Sequence, residues 1–176
     1  MTKPKKIYIL GTVGSGKSTL AKELAKKLKI KHYDLDDIFW VRKFNKKRKE
    51  KDRQKKFKHL CDKKEWIIEG VYSTWIDYGI KKANLVVLLK ISKKTLLWRI
   101  TKRSFKREKQ KKLGKLGYKQ GFKNYLGLLK ATKNYYKKDF DRGYIKHREL
   151  TEKYSDKFIE IKNNRDLKNL LKKHKK

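Results

Sequence analysis

Gly11-Thr12-Val13-Gly14-Ser15-Gly16-Lys17-Ser18, followed by Thr19, is a complete phosphate-binding loop of the form G-x-x-x-x-G-K-[ST]. Directly before it lies the apolar run Ile7-Tyr8-Ile9-Leu10. Directly after it Leu20, Leu24 and Leu28 recur with Ala21 and Ala25 beside them, which is one face of an α-helix. Strand, glycine-rich loop and helix in this order are the setting in which such a loop works. The glycines let the backbone curl so that successive N–H groups converge on a phosphate chain. The positive end of the helix dipole adds to this, Lys17 reaches the outer phosphates, and the Ser18 hydroxyl is placed to ligate Mg²⁺. Residues 11–19 are therefore expected to hold a nucleoside triphosphate.

Outward from the loop the pattern alternates. Strands are expected at 6–10, 30–34, 65–69, 84–91 and 157–161, with helices at 17–28, 46–63, 74–81, 92–110, 121–141 and 165–174. The run 84–91 is continuously apolar, as a central strand covered on both faces would be. Ser92 is the expected N-cap of the helix that begins Lys93-Lys94-Thr95. Such alternation predicts an α/β fold in one domain, 1–176, with a mostly parallel five-stranded sheet flanked by helices.

The chain has 176 residues and a net charge of +36, built from 54 lysines and arginines against 18 acids. A polyanionic partner and a composition that simply favours lysine both explain this; only nine of the bases are arginine, the better phosphate fork. The charge concentrates in 42–58, with eleven bases and two acids, and in 102–119, with nine bases, one acid and the glycines 114 and 117. Both stretches leave the sheet at the carboxyl ends of its strands, where open α/β folds bind ligands. We expect an acceptor-binding insert at 38–64 and a lid at 104–121. Any nucleic acid binding through the basic inserts should be non-specific and salt-sensitive. No apolar run is long enough to cross a membrane, and no signal peptide is expected before the loop. The lone Cys61 forms no internal disulfide, which suits a reducing cytoplasm, and with His32, His59, His147 and His174 it makes no structural zinc site.

Four segments, in order, resemble the adenylate kinase-like branch of phosphate-loop kinases, and within it the topology modulation protein (FlaR-type) group. They are the loop itself at 11–19, Asp-Leu-Asp-Asp-Ile-Phe-Trp at 34–40, Trp-Ile-Ile-Glu-Gly-Val-Tyr-Ser at 66–73, and Val-Val-Leu-Leu-Lys-Ile with Leu-Leu-Trp-Arg-Ile-Thr-Lys-Arg across 86–103. The resemblance implies a nucleotide kinase-like phosphate-loop fold and ATP- and Mg²⁺-dependent phosphoryl transfer to a small nucleotide, nucleoside or hydroxyl metabolite. Similar shikimate and gluconate kinases use an Asp-x-Asp for metal and acceptor, which implies that Asp34 serves the metal and Asp36 the acceptor hydroxyl. Asp34 and Asp36 are expected to end the second strand on one face, although capping of the next helix is an alternative. Glu69-Gly70 resembles an Asp-Gly whose acid contacts metal-bound water, with one methylene added; a structural strand-end acid is the other reading. Gly70 would let an acceptor approach, walled by Tyr72 and Trp75.

Arg99, Arg103 and Arg107 recur every four residues along one helical stripe. The resemblance puts Arg99 near the adenine and phosphates and Arg103 on the phosphates in transfer; an exposed basic stripe is the alternative. Phe39 and Trp40 could face a planar acceptor or simply pack. No motif places Arg142 or Arg148. Two rival readings stay open: a nucleic acid-directed protein, either a polynucleotide kinase or an ATP-switched binder, and an accessory NTPase with no acceptor.

Overall fold

In the computed structural model, which describes residues 3–42, 46–112, 122–137 and 143–173, the expected strands assemble into one parallel sheet. The elements run β1 (Lys6–Gly11), α1 (Lys17–Leu28), β2 (His32–Asp34), α2 (Leu35–Phe39), β3 (Trp40–Arg42), β4 (Lys46–Lys47), α3 (Glu50–Cys61), β5 (Trp66–Gly70) and α4 (Asp77–Lys82). They continue with β6 (Leu85–Leu89), α5 (Lys93–Lys112), α6 (Phe122–Asn134), α7 (Tyr144–Glu152), β7 (Phe158–Ile161) and α8 (Asn164–Lys173). The five-stranded sheet has the order β2-β5-β1-β6-β7. Every pairing in it is parallel.

Alternation within each strand sorts the core into two layers. Ile7 and Ile9 of β1 face one side with Ile67 and Val87, against Leu20, Ala21 and Leu24 of α1 and Leu170 of α8. Tyr8 and Leu10 face the other with Trp66, Ile68, Val86 and Leu88, against Leu35, Phe57, Leu60, Ile80 and Tyr144 from α2, α3, α4 and α7. The central strands β5 and β6 are buried at every position. The edge strand β2 is only half-buried, with a neighbour on one side alone. Each fully buried Ile or Leu supplies about 1.5–3 kcal/mol of transfer free energy, so this double-sided burial is what holds the carboxyl edge of the sheet in place.

Three expectations need correction. The helix expected from 46 starts at Glu50, because Lys46–Lys47 pair antiparallel with Trp40–Arg42. The helix expected over 121–141 ends at Asn134, with a turn at Tyr135–Tyr136. A further helix, α7, follows it and presents Tyr144, His147 and Thr151 inward, two of which are not apolar and so gave no hydrophobic period. The Ser92 cap is present: Thr95 N donates to Ser92 Oγ at 3.3 Å. Half of the expected lid, 113–121 with Gly114 and Gly117, lies outside the described residues, as do Arg142 and His174, and the other half, 104–112, continues α5. Among the described residues no helix is long and apolar enough to cross a membrane.

Candidate active site

β1 delivers the chain to the loop at the centre of the sheet. Gly14 and Gly16 take φ of 77° and 100°, the left-handed region that favours glycine. Gly16 then caps α1, whose first turn holds no acid, so its N-terminal potential is not neutralised from within. Lys17 is buried and donates from Nζ to the Thr12 carbonyl at 3.0 Å. Burial holds its pKa below the usual lysine range, against the opposing pull of Glu69, Asp36 and Asp34. Ser15 Oγ is buried with no hydrogen-bond partner among the described residues.

Three carboxylates meet the loop. Glu69 ends β5 next to Asp34 of β2 in the sheet register. It is 3% exposed, accepts a hydrogen bond from Ser18 Oγ at 2.6 Å, and has His32 Nε2 3.8 Å away. Burial alone would raise its pKa, but the nearby His32 ring, the Lys17 charge and the hydrogen bond from Ser18 outweigh it and hold the carboxyl below its ordinary value. The shared strand face expected for Asp34 and Asp36 is not what forms. Strand β2 stops at Asp34, whose Oδ1 accepts from Asp36 N at 2.9 Å and caps α2. Asp36 thus stands in the first turn of a helix, and its Oδ1 accepts from Tyr72 Oη at 2.7 Å. At Gly70 the close neighbour is Leu35: a Cβ there would lie 2.8 Å from its Cδ1.

Helix α5 closes the loop from above. Arg99 Nη1 donates to the Ser15 carbonyl at 3.1 Å and the Gly14 carbonyl at 3.4 Å. Arg103, one turn on, lines the same space. The Arg107 side chain lies outside the described residues. Arg148 is exposed, pairs with Glu152 on its own helix, and does not line the cavity.

These residues surround one cavity of about 840 Å³. Val13 to Thr19, Asp34, Asp36, Glu69, Gly70, Arg99 and Arg103 all line it; Gly11 and Thr12 lie beneath, outside the lining. The reading of the sequence missed its apolar wall, Leu89, Ile91, Ile161 and Leu167, and Asn163, two residues past the end of β7. The strand ends were the available signal for these, since open α/β sheets bind ligands there. The aromatic residues settle toward packing. Phe39 stacks on Tyr72 at 4.8 Å, Trp75 lies 5.1 Å from both Tyr72 and Phe57, and the Arg53 guanidinium lies over Phe39 and Trp75. None of these rings lines the cavity; Tyr72 reaches it through Asp36.

A histidine not singled out by any motif supports this edge. His147 of α7 is fully buried, with Nε2 at 3.1 Å from the Val71 carbonyl and Nδ1 at 3.0 Å from Tyr135 Oη. A carbonyl can only accept, so Nε2 carries the proton and Nδ1 accepts from the tyrosine hydroxyl.

The chain is 39% identical over 104 residues to the uncharacterized protein YqaC of Bacillus subtilis, and spans 58% of that relative's length. A stretch of 38 residues, 22% of each chain, is 50% identical to a shikimate kinase of Francisella tularensis. In three dimensions it is similar to a shikimate kinase of Aquifex aeolicus, at 18% identity and a TM-score of 0.51 over 96% of this chain and 92% of that one. A shikimate kinase of Bacteroides thetaiotaomicron gives 14% and 0.52 over 97% and 96%. A sugar kinase of Janibacter sp. gives 14% and 0.52 over 97% and 92%. These likenesses show a kinase-like phosphate-loop fold. The model of the AAA domain family matches residues 7–120, well over half of the sequence, and the chain belongs to that family.

Proposed function

We propose that the chain is an ATP-dependent kinase acting on a small nucleotide, nucleoside or hydroxyl metabolite, a single-domain member of the FlaR-type branch that works in the cytoplasm. The observation that carries this is the convergence of Lys17, Ser18, Asp34, Asp36, Glu69, Arg99 and Arg103 on one cavity. Lys17 and the amides of residues 11–19 hold the β- and γ-phosphates, and Ser15 Oγ gains a partner. Mg²⁺, which takes one or two carboxylates, a hydroxyl and phosphate oxygens and keeps several waters, would be held by Ser18, Asp34 and Glu69. When bound it neutralises charge on the phosphate oxygens. Asp36, oriented by Tyr72, accepts the acceptor hydroxyl proton as that oxygen bonds to the γ-phosphorus and the bond to ADP breaks. Arg99 and Arg103 stabilise charge spread over the transferring oxygens. Residues 38–64 bind the acceptor and 104–121 close over it. The short stretch shared with shikimate kinase and the kinase-like fold support a small acceptor over a bare NTPase.

The test is ADP release with a panel of nucleosides, nucleotides, sugars and hydroxy acids. Release that depends on an acceptor, falls more than tenfold in Lys17→Ala, and falls in Asp36→Asn with ATP affinity kept supports the reading. Acceptor-independent release, or Lys17→Ala keeping over a tenth of turnover, a loss of under about 1.4 kcal/mol, refutes it.

A further inference from the structure

Among the aromatic side chains described, only Trp98 and Phe105 are exposed, at 61% and 74%. Both belong to α5, seven residues apart, which places them on one stripe about 10 Å apart along the axis. The stripe is turned away from Leu96 and Ile100, which are buried, and from Arg99, which bends to the phosphate loop. Lys94, Lys102 and Lys106 flank it and are exposed, and the Lys102 ammonium sits 4.8 Å from the Trp98 ring centroid.

The charge on this helix runs against its own stability. It carries ten lysines and arginines and one acid, Glu108, while α6, packed beside it, has no acid. Lys93 and Lys94 occupy its first turn, where a cation opposes the helix dipole. Lys102 and Lys106 repeat like charge at four-residue spacing, which destabilises a helix by a few tenths of a kcal/mol per pair. A polyanion laid along the stripe relieves the repulsion among Lys94, Lys102 and Lys106. The exposed rings narrow the choice of polyanion, because a phosphate chain without planar groups makes no use of them.

We propose that the outer face of α5 binds single-stranded nucleic acid, with bases stacking on Trp98 and Phe105 and phosphates held by Lys94, Lys102 and Lys106. Stacking on isolated rings requires unpaired bases, so the face prefers single strands to duplex, and it reads no sequence because every base has a flat face. The site is separate from the cavity, and the inference stands whether or not the chain is a kinase.

The experiment measures, by fluorescence anisotropy, binding of an oligothymidylate of about 15 nucleotides, the same backbone without bases, and the matching duplex. The proteins are wild type, Trp98→Ala/Phe105→Ala, Trp98→Tyr/Phe105→Tyr and Lys17→Ala. Because both rings are exposed, the alanine variant should keep the wild-type melting midpoint. It is expected to lose ten- to a hundredfold in affinity for the oligothymidylate and less than twofold for the base-free strand, and the tyrosine variant to keep most of the binding. Affinity for all strands should fall steeply between about 50 and 200 mM salt. Lys17→Ala should bind as wild type does. Equal loss on strands with and without bases, no loss at all, or a duplex bound as tightly as the single strand overturns the proposal. So does ring-dependent binding to phosphatidylserine vesicles with oligothymidylate affinity unchanged, which would make the face a membrane contact.

Discussion

Acid is expected to destabilise this fold through one buried side chain, His147. Its neutral ring is fully used: Nε2 donates to the Val71 carbonyl at 3.1 Å and Nδ1 accepts from Tyr135 at 3.0 Å. A second proton would have to sit on Nδ1, where the tyrosine hydroxyl already directs its hydrogen, in a place with no exposure to water. Burial is the largest cause of its shift and the charge of Lys17 adds to it, while bonds to the backbone at Val71 and Tyr72 oppose it. Together they lower the pKa from 6.5 to about 4. Since the folded value lies below the unfolded one, the unfolded chain takes up the proton first. The stabilisation is complete above about pH 6.5 and is lost as the pH falls towards about 4. At 1.36 kcal/mol per unit, the loss comes to about 3 kcal/mol, a large part of the stability of an ordinary domain. Urea denaturation at intervals from about pH 7.5 to 4.5 measures it, on wild type and His147→Gln. The variant starts less stable at neutral pH, but its stability should fall less steeply through this window. Parallel pH profiles for the two proteins would refute the argument.

Two glycine-to-alanine changes should differ in sign. A Cβ at Gly79 would lie 2.6 Å from Phe57 and 2.9 Å from Tyr8, so Gly79→Ala should lower stability by about 1–3 kcal/mol despite its better helix propensity. Gly127 meets nothing within 4 Å, so Gly127→Ala should raise stability by about 0.5–1 kcal/mol; thermal melts that moved both variants the same way would contradict this. Glu69 is held below the ordinary carboxyl pKa, so its contribution is present above about pH 4.5 and lost as the pH falls through its lowered folded value. The stability gap between wild type and Glu69→Gln, followed by urea titration, should therefore narrow in acid, and a constant gap would refute the assignment.

What the sequence made legible follows from where its signals are local. The phosphate loop is written in consecutive residues, and the strands around it are continuous apolar runs, so loop, sheet and crossovers were readable without tertiary information. The site residues Lys17, Ser18, Asp34, Asp36, Glu69, Arg99 and Arg103 do line one cavity. The shared strand face expected of Asp34 and Asp36 is nevertheless absent, and the alternative, a cap on the next helix, is what Asp34 forms. A three-residue strand ends where a carboxylate can cap the next helix, and Leu35, the first residue of that helix, packs where Gly70 has no side chain. Helix α7 was invisible because its inward face holds a histidine and a threonine. Their burial is tolerated through hydrogen bonds to Val71, Tyr135 and Arg148, which no periodicity records.

The four residues Glu69 to Tyr72 explain how separate elements become one site. Glu69 takes the Ser18 hydroxyl and so ties α1 to the end of β5. Gly70 has no side chain, and Leu35 packs into that space, which sets α2 against the strand. The Val71 carbonyl takes His147 and anchors α7. The Tyr72 hydroxyl reaches Asp36 from the far side of α2. These contacts fall on consecutive residues, so a displacement at one has only the two soft dihedrals of each residue in which to be absorbed before it reaches the next. Replacing His147 therefore frees the Val71 carbonyl one residue from the tyrosine that orients Asp36. Asp36 geometry and acid stability should respond to the same substitution, whereas Trp98, on the outer face of α5, shares none of these contacts.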